Sequence, residues 1–283
     1  MQAEIMALAA AALFGASVTT LKRGFVHSSP LASTIVVTAV NVVIFWIISL
    51  LFVPLDLFLT AGIPFFIIGG LLGQALARTM QYTGADKVGP ARSLTALATT
   101  SIFGAFFAIL LLGEKWTLPV ITGTLLIILG VAFLAGEGKR NWKRRHLLYP
   151  LTASVIYGLV IVLQKAGLTI TQSAIVAVTV TTTSALIGLF SYAAATGKIR
   201  KLSLGKARNL FVLAGIFNSI GFLLNFEALR LGMVTVIMPL VGTQPLFATL
   251  FSRLFLKGFE KITWNVVVGA IIVVLGVAVI TGL

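Results

Sequence analysis

The side chains best equipped for chemistry are few, and they sit inside long apolar runs. Arg78 lies between Gln74 and Gln81, an i, i+4, i+7 series that puts a guanidinium and two amides on one helical face. A guanidinium there can hold a carboxylate or phosphate bidentately. Its long stem also allows the alternative, snorkelling to the run's end or pairing with Asp86. Arg92 opens the next apolar run after Gly89-Pro90, either as a neighbour of Arg78 or as a boundary anchor. Tyr157 and Gln164 are seven apart, as are Asn218 and Asn225, so each pair shares a face. Amides in such runs line a polar cavity or bond to an adjacent helix. Gln244-Pro245 adds a proline that frees a carbonyl and can bend its helix. These nine residues form the candidate binding set. Glu227, near the outer end of its run and the only acidic residue expected below the surface of a helix interior, is a coupling candidate, with an ion pair to Arg230 three positions on as the alternative.

Other chemistries are excluded. The chain has no cysteine and only two histidines, and its only aspartates, Asp56 and Asp86, fall near connectors. There is no H-E-x-x-H, no G-x-S-x-G and no G-x-x-x-x-G-K-[ST], so a zinc protease, a serine hydrolase and direct ATP hydrolysis all lack their machinery. No metal or cofactor is expected. Thr179 and the hydroxyls of 181–184 read as bonded back to their own helix. Glu114 and Glu260, each beside a lysine, read as hairpin-end residues, and the glycines as packing positions.

The elements that must carry these groups are set by composition. Of 283 residues 59% are hydrophobic and only 10% charged, and mean hydropathy is +1.09. A soluble domain holds roughly 25% charged residues, so lipid is the main solvent here. A spanning helix needs ~20 apolar residues. Ten stretches qualify: 3–21, 31–53, 62–83, 90–112, 117–136, 147–164, 174–196, 209–229, 233–256 and 263–282. The expected fold class is an all-α membrane protein of ten transmembrane helices. The first run has Lys22 and Arg23 after it rather than before it, the reverse of a secretory signal's charge order, and reads as a retained helix.

The ten divide into two related halves. At an offset of 143, Phe14 aligns with Tyr157, Gly15 with Gly158, Lys22 with Lys165 and Gly89 with Gly232. At 146, Glu114-Lys115-x-Thr117 aligns with Glu260-Lys261-x-Thr263, Gly123 with Gly269 and Gly130 with Gly276. The division is 1–136, a basic connecting loop 137–146, and 147–283. Five helices per half is an odd number, so the second half enters the membrane inverted, the arrangement from which alternating access arises. Fifteen Lys and Arg fall in the connectors after odd-numbered helices and three on the other side. The positive-inside rule then places loop 137–146 in the cytoplasm and both termini outside, in a multi-pass protein of the cell membrane. The +14 net charge is explained by these connectors, and no nucleic-acid partner is expected.

With the repeat in hand, the chain resembles the EamA-type permeases of the drug/metabolite transporter superfamily. The resemblance rests on Gly15 with Lys22 and again Gly158 with Lys165, on Leu112-Gly-Glu114 followed by Thr117, Gly123 and Gly130, and on Pro245, Leu256, Glu260, Gly269 and Gly276. It implies two inverted five-helix units around a central cavity, with helices 5 and 10 peripheral and associated with subunit contact in smaller relatives, so a homodimer is the protein partner it suggests. It also implies secondary transport of a small metabolite. Amino acids or related carboxylated solutes lead, on Arg78 and Arg92; lipophilic compounds and phosphorylated or nucleotide sugars are the alternatives within the superfamily, and a membrane enzyme or channel those outside it. The four-helix relatives carry a glutamate in the first helix that exchanges protons for cations; residues 8–22 here hold no carboxylate.

Overall fold

The computed structural model describes residues 1–24, 28–88, 93, 96–135, 143–198, 205–255 and 264–282. Among these the chain is helical throughout, with no strand. The spans are α1 (Gln2–Gly24), α2 (Pro30–Phe52), α3 (Ile63–Gly69, then a π-helical Gly70–Ala77, then Arg78–Val88), α4 (Thr100–Leu112), α5 (Leu118–Ala135), α6 (Leu148–Thr171), α7 (Ala174–Ala195), α8 (Arg208–Leu231), α9 (Val234–Val241 and Gln244–Phe255) and α10 (Trp264–Thr281). Seven helices are long and apolar enough to cross a membrane, and shorter apolar helices occupy 96–112, 118–133 and 267–281. The 18 residues of α5 and of α10 still reach ~27 Å at 1.5 Å per residue.

Local signals fix the ends. Ser29 caps α2, its hydroxyl accepting from the Ala32 N–H at 3.2 Å, with Pro30 at the first helical position where its missing N–H costs nothing. Gly113, at φ +68°, takes the left-handed turn that stops α4. Large side chains such as Leu50, Leu51, Phe106, Leu110, Leu125, Leu129, Ile271 and Leu275 stay exposed around the bundle. That belt would be an aggregation surface in water and is matched solvent in a bilayer.

Three expected boundaries move. Helix α6 runs to Thr171 rather than ending at 164, because Lys165 does not terminate it: its ammonium finds carbonyl partners and the helix continues past it. The span expected at 62–83 continues to Val88 and contains the π-helical stretch. The span expected at 233–256 is interrupted at Gly242 and Thr243, between Pro239 and Pro245. Loop residues 137–142 lie outside the described residues.

Contacts between the halves show their two-fold relation. A Cβ on Gly15 would meet Phe247 Cβ and Ala248 N at 2.8 Å; one on Gly158 would meet Phe103 Cβ and Gly104 N at 2.8 Å. Each half's first helix is therefore seated through its glycine against the other half's fourth. Helices α5 and α10 pack along each other. There a Cβ on Gly123 would lie 2.7 Å from Gly276 O, and one on Gly130 2.8 Å from Gly269 O. Since Gly123 aligns with Gly269 and Gly130 with Gly276, the two contacts exchange when the halves are swapped, as an inverted repeat demands.

The largest apolar cluster gathers at one end of the bundle. It joins Ala3 and Ala7 of α1, Phe45 of α2, Phe66 of α3, Ala108 of α4, Leu168 of α6, Ala228 and Leu229 of α8, and Val234 and Ile237 of α9. This is the end where α1 begins, and it is closed by apolar packing.

Candidate functional site

The cavity lies between the halves, from mid-bundle toward the end that bears the basic connectors. It holds about 390 Å³, within the usual range for small-molecule pockets. Residues of α1, α2, α3, α5, α6, α8 and α9 line it, together with Leu97, Ala98 and Thr100 at the start of α4; α7 does not.

Helix α3 supplies the most polar wall. In its π-helical stretch the Arg78 N–H reaches Gly73 O, five residues back, so the turn holds an extra residue. Such stretches are rare and frequent at functional sites. Gln74, Arg78 and Gln81 all face the cavity. Tyr157 Oη donates to Gln81 Oε1 at 3.0 Å, tying α6 to α3 across the wall. Arg78 is half-buried and, among the described residues, is the only charged side chain on the cavity wall; it has no ion pair or hydrogen-bond partner there. The Asp86 side chain and all of Arg92 lie outside the described residues.

The amides divide. Gln164 is buried, lines the cavity and packs beside Gly69. Asn218 also lines it but is committed to α2: the Asn41 amide lies 2.8 Å from Asn218 Oδ1 and 2.8 Å from Ser219 Oγ. Asn225, 7% exposed, lines the cavity with its Oδ1 unpartnered among the described residues. A buried amide oxygen left open costs roughly 1–3 kcal/mol, so the position is prepared for a donor from water or a solute. Gln244 and Pro245 line the cavity together with Gly242, where the break in α9 places the start of its second segment on the wall.

Eight of the nine candidate binding residues therefore share one cavity wall, and the ninth, Arg92, lies outside the described residues. Glu227 does not line the cavity; its Oε2 takes the Arg230 Nε–H at 2.7 Å, the local ion pair that three-residue spacing allows. Of the α7 hydroxyls expected to bond back, Thr179, Thr182, Thr183 and Ser184 do so, Thr182 to Val178 O and Thr183 to Thr179 O at 2.7 Å each, whereas the Thr181 hydroxyl is buried without a partner among the described residues. Thr179 also meets Ser49 Oγ at 2.8 Å, and Trp46 Nε1–H donates to Thr183 at 3.0 Å, so these hydroxyls additionally clamp α7 to α2.

Sequence reasoning missed two groups. An aromatic wall of Phe14, Phe222 and Phe226, with ring centroids 5.8 Å apart in each consecutive pair, lines the cavity beside Met238. The alignment of Phe14 with Tyr157, both cavity-lining, was the available signal. From sequence, Glu114 reads as a hairpin-end residue and Lys165 as one of the three basic residues on the side opposite the basic connectors. Each instead binds backbone of the α8–α9 turn: Glu114 accepts from Val234 N and Thr235 N at 2.8 and 2.9 Å, and Lys165 Nζ donates to Leu229 O and Gly232 O at 2.6 and 2.8 Å.

Among the described residues, ten apolar helical spans, a lipid-matched exterior and a central cavity with one unpaired cation on its wall define a multi-pass membrane protein with a polar-walled internal cavity. The family model for the EamA-like transporter family matches twice, at residues 1–136 and 144–282. The chain belongs to that family and is a membrane transporter. A crystal structure titled only as that of a protein superposes with a TM-score of 0.81 at 18% identity, covering 99% of this chain and 95% of its own, which supports the fold. A search of curated proteins finds no match.

Proposed function

We propose that this transporter moves a small carboxylated metabolite, an amino acid or a close relative, across the cell membrane by alternating access, with Arg78 holding the carboxylate. The observation that carries this reading is the Arg78 guanidinium, half-buried on the cavity wall without a partner among the described residues. Burying an uncompensated charge is expensive, and an anionic solute offsets that cost. A single cation matches a monocarboxylate better than a diphosphate, which carries two or more charges. The start of the second α9 segment at Gln244 adds a partial positive charge on the same wall. Asn225 Oδ1 suits an ammonium or hydroxyl donor, and Phe14, Phe222, Phe226 and Met238 suit an apolar side chain.

The positive-inside rule supports a cytoplasmic position for the end of the bundle that bears the basic connectors. The apolar cluster closes the opposite end, so the conformation corresponds to an inward-facing state.

The test is a thermal-shift screen of purified protein against amino acids, other monocarboxylates, sugar phosphates and lipophilic cations, since a ligand that binds the folded state raises its apparent stability. Monocarboxylates should raise Tm, and Arg78→Ala should remove the shift while leaving the unliganded Tm near that of the unaltered protein. Stabilisation by cations or neutral solutes alone, or shifts that survive Arg78→Ala, would refute the assignment.

A further inference from the structure

We propose that Glu114 and Lys165 form a polar latch holding the cavity shut at the end where α1 begins. This rests on the alternating-access reading above.

Apolar packing does most of the sealing at that end, but it is non-directional and does not by itself fix one arrangement. The two charged groups are directional, and both grip the short turn between α8 and α9. On one side of the turn the Glu114 carboxylate takes the first two free amides of α9, Val234 N and Thr235 N, with one oxygen each. An anion on a helix N-terminus is favoured by the open N–H groups and by the dipole. On the other side Lys165 Nζ donates to Leu229 O at 2.6 Å and Gly232 O at 2.8 Å, with Arg230 O at 3.3 Å, satisfying carbonyls at the C-terminal end of α8. A cation belongs at that pole for the mirrored reason.

Chain placement separates a latch from a static cap. Glu114 follows α4 in the first half, whereas the amides it binds begin α9 in the second. The Glu114 bonds therefore cross the boundary between the units that must separate for the cavity to open at this end, whereas the Lys165 bonds stay within the second half and hold in place the turn that Glu114 grips. Every group is satisfied by backbone, so the segment released is the whole α8–α9 turn together with Val234, Ile237 and Met238, which pack into the seal. A second cavity, lined by Met1, Glu4, Lys165, Gly232 and Met233, reaches the Lys165 side of the latch. With the latch intact the closed arrangement is held; with either charge removed, the equilibrium moves toward the arrangement open at this end.

The absence of cysteine permits a direct readout that needs no solute. Ala7→Cys places a thiol inside the seal, at a position with no exposed surface, and Val18→Cys places one on the cavity wall below it. Each is labelled with a polar maleimide in detergent-solubilised protein, in the unaltered background and with Glu114→Gln or Lys165→Gln, using variants that elute as a single species. Loss of charge-assisted hydrogen bonds shifts a two-state equilibrium by about tenfold or more. Labelling at position 7 should therefore rise about tenfold in Glu114→Gln while labelling at 18 falls; Lys165→Gln, which frees the turn that Glu114 grips, should move both in the same direction by less, and Glu114→Asp, which keeps the charge, should stay near the original pattern. Unchanged labelling at 7 overturns the latch. A rise at 7 without a fall at 18 also overturns it, because it marks local fraying in place of exchange between two states. A failed solute screen leaves this readout intact, so the latch and the substrate assignment stand or fall separately.

Discussion

Substituting Gly130 by alanine tests the seam on which the two halves meet. A Cβ there would stand 2.6 Å from Val273 Cγ2, 2.8 Å from Val273 N and 2.8 Å from Gly269 O. Unstrained carbon contacts lie near 3.5–4.0 Å. Two of the three obstructing atoms are backbone, which cannot rotate away, so α5 and α10 must move apart by most of an ångström along a contact that runs their length. Overpacking of this kind costs about 1–3 kcal/mol. At roughly 2–4 °C per kcal/mol for a chain of this size, Tm should fall by about 2–12 °C. Gly104→Ala is the control, because its nearest neighbour, Met238 Cγ, would be at 3.5 Å; it should stay within about 0.5 kcal/mol of the unaltered protein. The assay is thermal unfolding in detergent followed by fluorescence-detected size exclusion. Equal stability of Gly130→Ala and Gly104→Ala would refute the close backbone approach and, with it, the two-fold contact pattern that relates Gly123 to Gly276 and Gly130 to Gly269.

Asn218→Leu should destabilise by about 0.5–2 kcal/mol in the same assay, because Asn41 loses its amide partner inside the bundle. The double variant with Asn41→Leu should cost less than the sum of the singles, since no orphan amide then remains. Gly113→Ala should cost about 1 kcal/mol through its φ of +68° alone, there being no atom within 4 Å to obstruct the methyl. Asn225→Leu should leave folding intact, its Oδ1 having no described partner, but should weaken any solute that donates to it by about tenfold in a binding titration.

How far the sequence could be read depended on the range of the physics involved. Helix number and repeat relation follow from local properties, the length of apolar runs and the Glu-Lys-x-Thr spacing, and these survive folding. The cavity wall was legible where one face carries several polar groups, as on α3, because lipid penalises any other use of that face. What could not be read were acceptors far along the chain. Nothing near Lys165 announces that its partners are carbonyls 64 and 67 residues away, so its charge looked like a helix end. Glu114 likewise reaches amides 120 and 121 positions on. Asn218 and Asn225 share a helical face and the same chemistry, and only the placement of Asn41 opposite one of them separates a bonded amide from an open one. The break in α9 was half visible in Gln244-Pro245, whereas the π-helical turn beneath Arg78 left no mark in residue type.

The central claim, a carrier whose cavity holds a carboxylate on Arg78, is tested most directly by countertransport in proteoliposomes. Vesicles preloaded with a monocarboxylate that raises Tm should take up the labelled solute with saturable kinetics, faster than unloaded vesicles, and Arg78→Ala should abolish the stimulated flux. Uptake that fails to saturate, or stimulated flux that persists in Arg78→Ala, would contradict the account.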